Sequence, residues 1–362
     1  MKTDVLIIGG GPAGLSAAIE LGARDLHVTI LDESNELGGQ LHQQTQVLKR
    51  LPSTYRNLRG FELAEQLVNE VNQLSVHQLL GHRVIGLYED GSVGISDDLN
   101  VFPVRAKKII VSTGAYERAV PFLKWTLPGI MTIGAAQTLI NRDMVLPGKE
   151  TFIVGLSNFS LDVAEQLRSV GVHVKGILQP KGHEQKYCIG SLEAVRSMGI
   201  PIYKQAEVVE AKGNGKVEQL VFKYVNQLQS VQVDSVCIDG GRSPILDIFY
   251  QLNCSFGYQE VLGGWLPQYD SSFKTSNENV FLAGNASGIS DHGALLLTGR
   301  LAAISVLEDL QKLDKQDTQT VRNLLWKEIE TLESWDHPDV WTARREHIEQ
   351  FLQPKIKDQF IS

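Results

Sequence analysis

The strongest constraint on the fold is a glycine-rich turn near the start of the chain. Residues 4–8 (Asp-Val-Leu-Ile-Ile) have the apolar character of a buried parallel strand. Three glycines at the spacing G-x-G-x-x-G follow it: Gly9, Gly11 and Gly14. Residues 15–21 are then typical of a helix, and residues 27–31 of a second strand that ends at Asp32. This order predicts a β-α-β unit, and therefore an α/β fold with a parallel sheet.

Each glycine of this turn has its own physical role in a dinucleotide-binding loop. Gly9 permits the tight turn, Gly11 lets the backbone approach a pyrophosphate, and Gly14 allows the helix to pack closely on the strand. The start of the helix supplies free N–H groups and a positive dipole end. Asp32, 18 residues after Gly14, is placed to accept hydrogen bonds from ribose hydroxyls. Together these features predict a dinucleotide site.

The same order of elements recurs in the second half of the chain. Residues 151–154 read as a strand, Gly155 opens a turn, residues 161–170 read as a helix, and residues 172–174 begin another strand. We interpret this recurrence as an internal duplication of a nucleotide-binding fold.

The second glycine motif is degenerate. Ser157 and Ser160 stand at its second and third glycine positions, and a side chain at 157 would crowd a pyrophosphate. The following strand offers Leu178-Gln179 in place of a ribose-binding acid. Binding of NAD(P) by this part of the chain is therefore doubtful, and a structural domain is the better expectation.

Three further short motifs accompany the first glycine loop. Gly38-Gly39-Gln40-Leu41 would let the chain run close against a large planar ligand. Val111-Ser-Thr-Gly-Ala115 and Asn279-Val-Phe-Leu-Ala-Gly-Asn285 each end an apolar strand with small and polar residues. Small residues at strand ends allow backbone contact with a nucleotide.

Taken together, these motifs resemble the flavoproteins that have two dinucleotide-binding domains, and the first half resembles thioredoxin reductase. The resemblance spans residues 1–310. It implies that the Gly9–Gly14 loop and Asp32 hold the ADP part of FAD, and that the 284–285 segment meets its ribityl and pyrophosphate groups. The family usually has Asp where this chain has Asn285, and an amide can still accept a hydrogen bond from a ribityl hydroxyl. The implied cofactor-binding set is Gly9, Gly11, Pro12, Ala13, Gly14, Asp32, Glu33, Gly39, Gln40, Leu41, Val84, Thr113, Gly114, Gly284 and Asn285.

A narrower resemblance rests on residues 113–121, 125–131, 134–137 and 262–267, the last of which reads Leu-Gly-Gly-Trp-Leu-Pro. These stretches are similar to the FAD-carrying subunits of multi-subunit amine and amino-acid dehydrogenases. That group includes the A subunit of opine oxidase, the B subunit of hydrogen cyanide synthase, the alpha subunit of hydroxyproline dehydrogenase and the alpha chain of heterotetrameric sarcosine oxidase. Many of these relatives carry a cysteine-rich iron–sulfur segment, which this sequence does not contain.

The resemblance implies three alternatives for function. The first is a flavin and electron-transfer subunit that works with a second, substrate-oxidising flavoprotein subunit, with or without a small iron–sulfur subunit. The second is a stand-alone NAD(P)H-dependent reductase of the ferredoxin or thioredoxin reductase kind. The third is a scaffold that holds FAD or another adenine nucleotide without turnover. Three widely spaced cysteines with no CxxC pair exclude the dithiol mechanism of thioredoxin reductase, and we expect them to be reduced core thiols.

Acid–base residues are few in this sequence. Asp291 and His292 follow the 284–285 segment, and His42 follows Gln40, so these three side chains are the candidates for a chemical role. No spacing indicates a metal site or a nucleophilic triad, and the catalytic residues stay unknown. His337 and His347 lie in a polar stretch, and we expect both to be solvated.

Composition excludes several other classes. The net charge is −8 and there is no basic run, which argues against a nucleic-acid partner. No apolar run reaches the length of a membrane span, and the N-terminal residues lack the apolar core of a signal peptide, so we expect a cytoplasmic protein without a transmembrane segment.

The expected organisation is two Rossmann-like domains and a tail. A discontinuous FAD-binding domain comprises residues 1–115 and 245–314, a second dinucleotide-binding-like domain comprises residues 116–244, and a helical tail comprises residues 315–362. Five apolar residues recur at helical spacing in the tail: Val321, Leu324, Leu325, Ile329 and Leu332. Three tryptophans add aromatic surface: Trp326, Trp335 and Trp341. The tail should pack either on the FAD-binding domain or against another subunit.

Overall fold

A computed structural model describes residues 1–182, 188–334 and 338–352 of the chain. The chain divides into two compact units. Unit 1 consists of Met1–Tyr116 and Ser243–Ser362, and unit 2 consists of Glu117–Arg242. Within the described residues, no helix has the length and apolar character of a membrane span.

The strands are numbered in chain order. Those of the first half are β1 Lys2–Ile8, β2 Val28–Asp32, β3 Val76–Leu80, β4 Arg83–Leu87, β5 Val93–Ser96, β6 Val101–Val111, β7 Ala115–Glu117, β8 Ile130–Thr132 and β9 Glu150–Val154. Those of the second half are β10 His173–Pro180, β11 Ile202–Lys212, β12 Gln219–Tyr224, β13 Gln227–Gln232, β14 Ser235–Ile238, β15 Arg242–Pro244, β16 Phe256–Gln259, β17 Gly264–Pro267 and β18 Val280–Leu282.

The α-helices are α1 Pro12–Gly22, α2 Gly60–Asn72, α3 Ile133–Asn141, α4 Asn158–Ser169, α5 Ile189–Ser197, α6 Asp247–Gln251, α7 His292–Asp309, α8 Lys315–Ser334 and α9 Pro338–Leu352. Short 3-10 helices include Gly39–Leu41 and Gly284–Ser287. The predicted β-α-β units are present, with element ends shifted by a few residues.

The main sheet of unit 1 has the order β3-β2-β1-β6-β5-β4, and β18 pairs with β6. The strands β3, β2, β1, β6 and β18 run parallel, and β4, β5 and the first half of β6 form an antiparallel meander. In β1, Val5, Leu6 and Ile7 are fully buried, as expected of a strand in the interior of a parallel sheet. The long strand β6 joins the two parts of this sheet.

Unit 2 has a sheet of order β13-β12-β11-β10-β9-β14-β8. The strands from β11 to β8 are parallel, and β12 and β13 form an antiparallel extension. Each unit thus combines a parallel β-α-β sheet with an antiparallel appendage, which agrees with the two Rossmann-like domains that the sequence predicts.

In unit 1 the helices α1 and α7 cross at very short range. A Cβ atom at Gly299 of α7 would lie 2.0 Å from the carbonyl oxygen of Ala13 in α1, so glycine is needed for this approach. Ser16 of α1 also donates a hydrogen bond to the Leu296 carbonyl at 2.8 Å. This crossing places the start of α1 beside the segment that precedes α7.

The tail packs within unit 1. Leu325 and Ile329 of α8 are buried in the core of this unit, and the ring of Trp326 stacks on Phe273 with 5.3 Å between centroids. Trp341 of α9 in turn lies against Trp326, at 5.8 Å. In this structure the tail therefore packs on the predicted FAD-binding domain of its own chain, which is one of the two expected alternatives.

Three sequence expectations about single residues are wrong. Leu324 belongs to the predicted apolar stripe but is 64% exposed, because it lies on the outer face of α8. His347 is buried rather than solvated, since α9 turns it toward Pro267. Cys188 is exposed rather than in the core, whereas Cys237 and Cys254 are buried. Trp335 and His337 lie outside the described residues.

Candidate functional site

The first glycine loop connects β1 to α1, and two of its glycines are required by the fold. Gly9 has a φ of +107°, and a Cβ there would lie 2.4 Å from the Ser112 carbonyl oxygen. A Cβ at Gly14 would lie 1.9 Å from the Gly9 carbonyl oxygen. Both positions therefore exclude any side chain for steric reasons within the protein itself.

Gly11 differs from Gly9 and Gly14. Its φ of −71° is available to every residue, and a Cβ there would meet no protein atom within 4 Å. The fold therefore does not require glycine at this position. The open space in front of Gly11 is where a ligand can approach the backbone closely.

The start of α1 faces this open space. Gly11 is the N-cap and has no side chain, Pro12 occupies the first turn, and no acidic side chain lies in that turn. The N-cap residue therefore offers no side chain to the N–H groups of the first turn. No acidic side chain of that turn faces the positive end of the helix dipole either. Such a helix start can hold a diphosphate.

The acid at the end of β2 lies directly under the loop. Asp32 Oδ2 accepts a hydrogen bond from the Gly10 N–H at 2.6 Å, and Asp32 Oδ1 accepts one from the Ser34 N–H at 2.8 Å. Each carboxylate oxygen has further lone pairs. Glu33 follows and is exposed.

A cavity of about 310 Å³ opens beside the loop within unit 1. Its volume lies at the lower end of the range for small-molecule sites. Five of its lining residues belong to the predicted cofactor-binding set: Gly9, Asp32, Glu33, Val84 and Thr113. The tertiary structure thus brings together residues from β1, β2, β4 and the end of β6.

Eight further lining residues do not belong to the predicted set: Ile8, Leu31, His82, Arg83, Ile245, Asp247, Ile248 and Gln251. His82 and Arg83 directly precede Val84, so their position along the chain could have indicated them. Ile245 and the residues of α6 come from a segment more than 130 residues later, and no motif marks them.

Thr113 lines this cavity and carries a buried hydroxyl that is unsatisfied. Among the described residues, its buried Oγ1 atom has no hydrogen-bond partner. Leaving a buried hydroxyl unpaired costs about 1–3 kcal/mol. A polar group of a ligand in the cavity would supply the missing hydrogen bond. Gly114 follows with a φ of +79° and no atom near its Cβ position.

The 39–41 segment is held against the loop. Gly38 donates a hydrogen bond to the Gly10 carbonyl at 2.9 Å, and a Cβ at Gly39 would lie 2.9 Å from the Cα of Gly11. Leu41 is buried, and Gln40 is exposed. The chain therefore passes the open side of the loop without a side chain at its point of closest approach.

The 284–285 segment reaches the same region from the other end of the chain. A Cβ at Gly284 would lie 2.9 Å from Ala13 Cβ, and the Gly284 N–H donates to Thr298 Oγ1 at 2.8 Å. Asn285 Oδ1 accepts a hydrogen bond from the Ser290 N–H at 3.3 Å. The predicted residues of this segment thus lie beside the start of α1.

The structure adds a feature that the sequence did not indicate, in which the tail anchors this segment. Arg344 Nη1 donates to the Ser287 carbonyl at 2.8 Å and to the Tyr269 hydroxyl at 2.9 Å. Ser290 Oγ donates to Glu333 Oε1 at 2.6 Å. Burial by itself lowers the pKa of Arg344, but Glu333 and Tyr269 hold that pKa above its usual value.

The candidate acid–base residues are engaged with the protein. Asp291 forms an ion pair with Arg50 at 2.7 Å. His42 Nε2 lies 2.7 Å from the Leu37 carbonyl, which requires an N–H on that nitrogen. His292 is the first residue of α7 and is half-buried. No group of three or more His, Cys, Asp and Glu side chains in the described ranges is arranged to hold a metal.

Two curated relatives are similar over most of this chain. The HcnB protein of hydrogen cyanide synthase from Pseudomonas aeruginosa is 27% identical over 333 residues, which is 85% of this chain and 71% of the relative. The A subunit of opine oxidase from Agrobacterium tumefaciens is 26% identical over 343 residues, which is 88% of this chain and 68% of the relative. Both relatives are named as subunits.

Solved structures share the fold. L-proline dehydrogenase from P. horikoshii superposes with a TM-score of 0.70 at 22% identity and covers 88% of this chain, which spans 59% of that longer chain. Thioredoxin reductase from T. acidophilum also has a TM-score of 0.70, at 20% identity, and covers 86% of this chain and 99% of its own. The predicted thioredoxin-reductase-like architecture is confirmed.

A family model agrees with the glycine loop and with the fold. The model described as pyridine nucleotide-disulphide oxidoreductase matches residues 3–304, which include nearly all of β1, the cavity residues and most of α7. Membership of this family implies an oxidoreductase that binds FAD. The chain therefore belongs to the pyridine nucleotide-disulphide oxidoreductase family.

Proposed function

We propose that unit 1 binds FAD, with its ADP part in the cavity and its diphosphate at the start of α1. The observation that carries this proposal is the contrast between Gly11 and the other two glycines of the motif, Gly9 and Gly14. The fold needs Gly9 and Gly14, but it leaves Gly11 facing open space at an ordinary φ. A glycine that the fold does not need, at the start of an uncapped helix, is explained by close approach of a diphosphate.

Two further features of the residues that line the cavity support the same ligand. Asp32 is held by the Gly10 and Ser34 N–H groups and lines the cavity, where its remaining lone pairs can accept from ribose hydroxyls. The buried Thr113 hydroxyl lacks a hydrogen-bond partner, and Thr113 lines the same cavity. The chain thus binds and orients the cofactor, and bound FAD would supply the redox chemistry.

We further propose that the chain is the flavin and electron-transfer subunit of a multi-subunit amino-acid or amine dehydrogenase. The support is the similarity to subunits named for opine oxidase and hydrogen cyanide synthase. The partner would be a second flavoprotein subunit that oxidises the substrate, with or without a small iron–sulfur subunit. This chain has three cysteines, so a four-cysteine cluster would need ligands from another chain.

The experiment starts with the chain expressed alone. The purified protein should be yellow, and chromatography of the ligand released on denaturation should give one equivalent of FAD. The Gly11→Val variant, purified in parallel, should be colourless. Recovery of an adenine nucleotide without flavin would overturn FAD binding and favour the scaffold alternative.

The subunit role needs a second measurement. Co-expression with the products of adjacent genes should yield a complex that oxidises an amino acid or an amine with a dye as acceptor, whereas the chain alone should not. Dye reduction by the chain alone with NADH or NADPH at micromolar concentrations would overturn this role and favour the stand-alone reductase.

A further inference from the structure

The second glycine loop, between β9 and α4 in unit 2, lies directly against Asp239. This aspartate is the first residue after β14, and its N–H donates to the Val154 carbonyl at 2.7 Å. A Cβ at Gly155, which has a φ of +120°, would lie 2.1 Å from the Asp239 carbonyl oxygen and 2.7 Å from its Cβ. Asp239 is therefore at the carboxyl end of the sheet, where open α/β folds bind their ligands.

The Asp239 carboxylate is bound to the loop that would hold a diphosphate. Ser157, the N-cap of α4, donates its hydroxyl hydrogen bond to Asp239 Oδ2. The other carboxylate oxygen, Oδ1, accepts from the Gly241 N–H at 3.2 Å. Ser157 and Asp239 are only 7% and 6% exposed, so this pair is part of the interior of the unit.

Two N–H groups at the start of α4 are satisfied by its own serine side chains. Ser157 Oγ accepts from the Ser160 N–H at 3.2 Å, and Ser160 Oγ accepts from the Ser157 N–H at 2.8 Å. This reciprocal capping box uses the donors that a bound anion would need. The start of α1 in unit 1 is the internal comparison, since its N-cap is Gly11 and faces open space.

A second carboxylate lies at the same edge of the sheet in unit 2. Glu117 Oε1 accepts from the Gly134 N–H at 2.8 Å, in the first turn of α3. Strand β8, which precedes α3, runs parallel to its neighbour β14, so the start of α3 that Glu117 contacts and Asp239 lie at the same edge of the sheet. The start of α3 therefore has a carboxylate on one of its N–H groups, and the N-cap serine of α4 donates to another carboxylate.

We propose that Asp239, held by Ser157, occupies the anion position of the second loop and excludes NAD(P) from unit 2. A dinucleotide diphosphate carries two negative charges, and a buried carboxylate at the same position repels them in a medium of low dielectric constant. Asp239 is thus the specificity-determining residue of this unit. This role of Asp239 concerns unit 2 alone and holds whether or not FAD binds to unit 1.

A cationic side chain near the loop makes the proposal testable by gain of binding. The Arg242 guanidinium lies over the ring of Phe159, 4.5 Å from its centroid, in the first turn of α4. Once Asp239 and the Ser157 hydroxyl are removed, the helix start and this cation should accept a diphosphate.

The experiment measures binding of NADH and NADPH by isothermal titration calorimetry to the full chain. The variants are Asp239→Asn, Asp239→Ala and the double variant Ser157→Gly/Asp239→Ala. Exposed Glu218, in the same unit, provides the control Glu218→Ala, which changes the net charge equally. Thermal melting of each variant verifies that it is folded.

Wild type and the Glu218→Ala control should show no binding below millimolar concentrations. The double variant should bind at least tenfold more tightly than wild type. The affinity of Asp239→Asn should lie between those of wild type and the double variant, because asparagine removes the charge and keeps an acceptor for Ser157. Micromolar binding of either nucleotide by wild type would overturn the proposal. Folded Asp239→Asn and double variants that bind no better than wild type would overturn it as well.

Discussion

Arg344 and Glu333 form an ion pair with almost no solvent exposure. Arg344 Nη2 lies 2.7 Å from Glu333 Oε1, and their side chains are 0% and 1% exposed. The same arginine donates to the Ser287 carbonyl, and the same glutamate accepts from Ser290. Because Asn285 accepts from the Ser290 N–H, the tail is linked through this pair to the segment beside the glycine loop.

Removal of one partner of this pair should destabilise the protein strongly. Arg344→Met leaves the Glu333 carboxylate buried without its cation, which costs about 3–5 kcal/mol. Urea unfolding should show this loss, and the double variant Arg344→Met/Glu333→Leu should recover part of it. The neighbouring Arg345→Met is the control, because the Arg345–Glu349 pair is exposed, and it should leave the free energy of unfolding unchanged. A small effect of Arg344→Met would show that the pair contributes little.

Valine at position 11 should abolish FAD binding and leave the fold intact. A Cβ at Gly11 meets no protein atom, so the cost falls on the ligand and not on the protein. We expect a melting temperature for Gly11→Val equal to that of the FAD-free wild type, with no bound FAD. Gly86→Ala is the matched control, since its Cβ position is equally free and Gly86 does not line the cavity. Normal FAD content in Gly11→Val would show that the loop is not the diphosphate site.

Replacement of Thr113 by valine should have opposite effects on stability and on affinity. In the FAD-free protein, Thr113→Val removes an unpaired buried hydroxyl, and the free energy of unfolding should rise by about 1 kcal/mol. FAD affinity should fall, because the variant cannot form the hydrogen bond. Thr275→Val is the control, since the Thr275 hydroxyl donates to the Val280 carbonyl, and it should destabilise the protein. Equal FAD affinity for Thr113→Val and wild type would contradict a contact with this hydroxyl.

Stability should decrease as the solution becomes mildly acidic, because of His347. Burial lowers the pKa of this imidazole below 6.5, and its Nε2–H donates to the Pro267 carbonyl at 2.8 Å. Below pH 6.5 His347 binds a proton in the unfolded chain but stays neutral in the folded protein until the pH reaches its lower folded-state pKa. The free energy of unfolding therefore falls as the pH drops toward that folded-state pKa.

Urea unfolding at about pH 7.5 and about pH 5.5 measures this effect, since histidine titrates in that range. His347→Gln keeps a donor for Pro267 and should lose less stability than wild type between the two values. His77→Gln, which changes an exposed histidine of β3, should behave as wild type does. An equal loss in wild type and His347→Gln would assign the pH dependence to other groups.

Much of the fold follows from local patterns in the sequence. The strand-turn-helix order around Gly9–Gly14, its recurrence around Gly155, and the helix that precedes Leu310 can all be read from periodicity and glycine spacing. These features depend on neighbours within one or two turns of chain, so the residues that determine them are adjacent in the sequence. Gly9, Asp32 and Thr113 line one cavity because the parallel strands β1, β2 and β6 bring their carboxyl ends to one edge of the sheet.

The contacts at the second glycine loop, and those of the segment beside the first, depend instead on residues far apart in the chain. Ser157 meets Asp239 across 82 positions, and Arg344 meets Ser287 across 57. Ile245 and α6 complete a cavity whose other side is built from β1 and β2. No local period marks such pairs, since they arise when separately formed elements pack and their buried polar groups must find partners. The sequence marks the second loop as degenerate through Ser157 and Ser160, but only the tertiary structure shows that the Asp239 carboxylate lies against that loop.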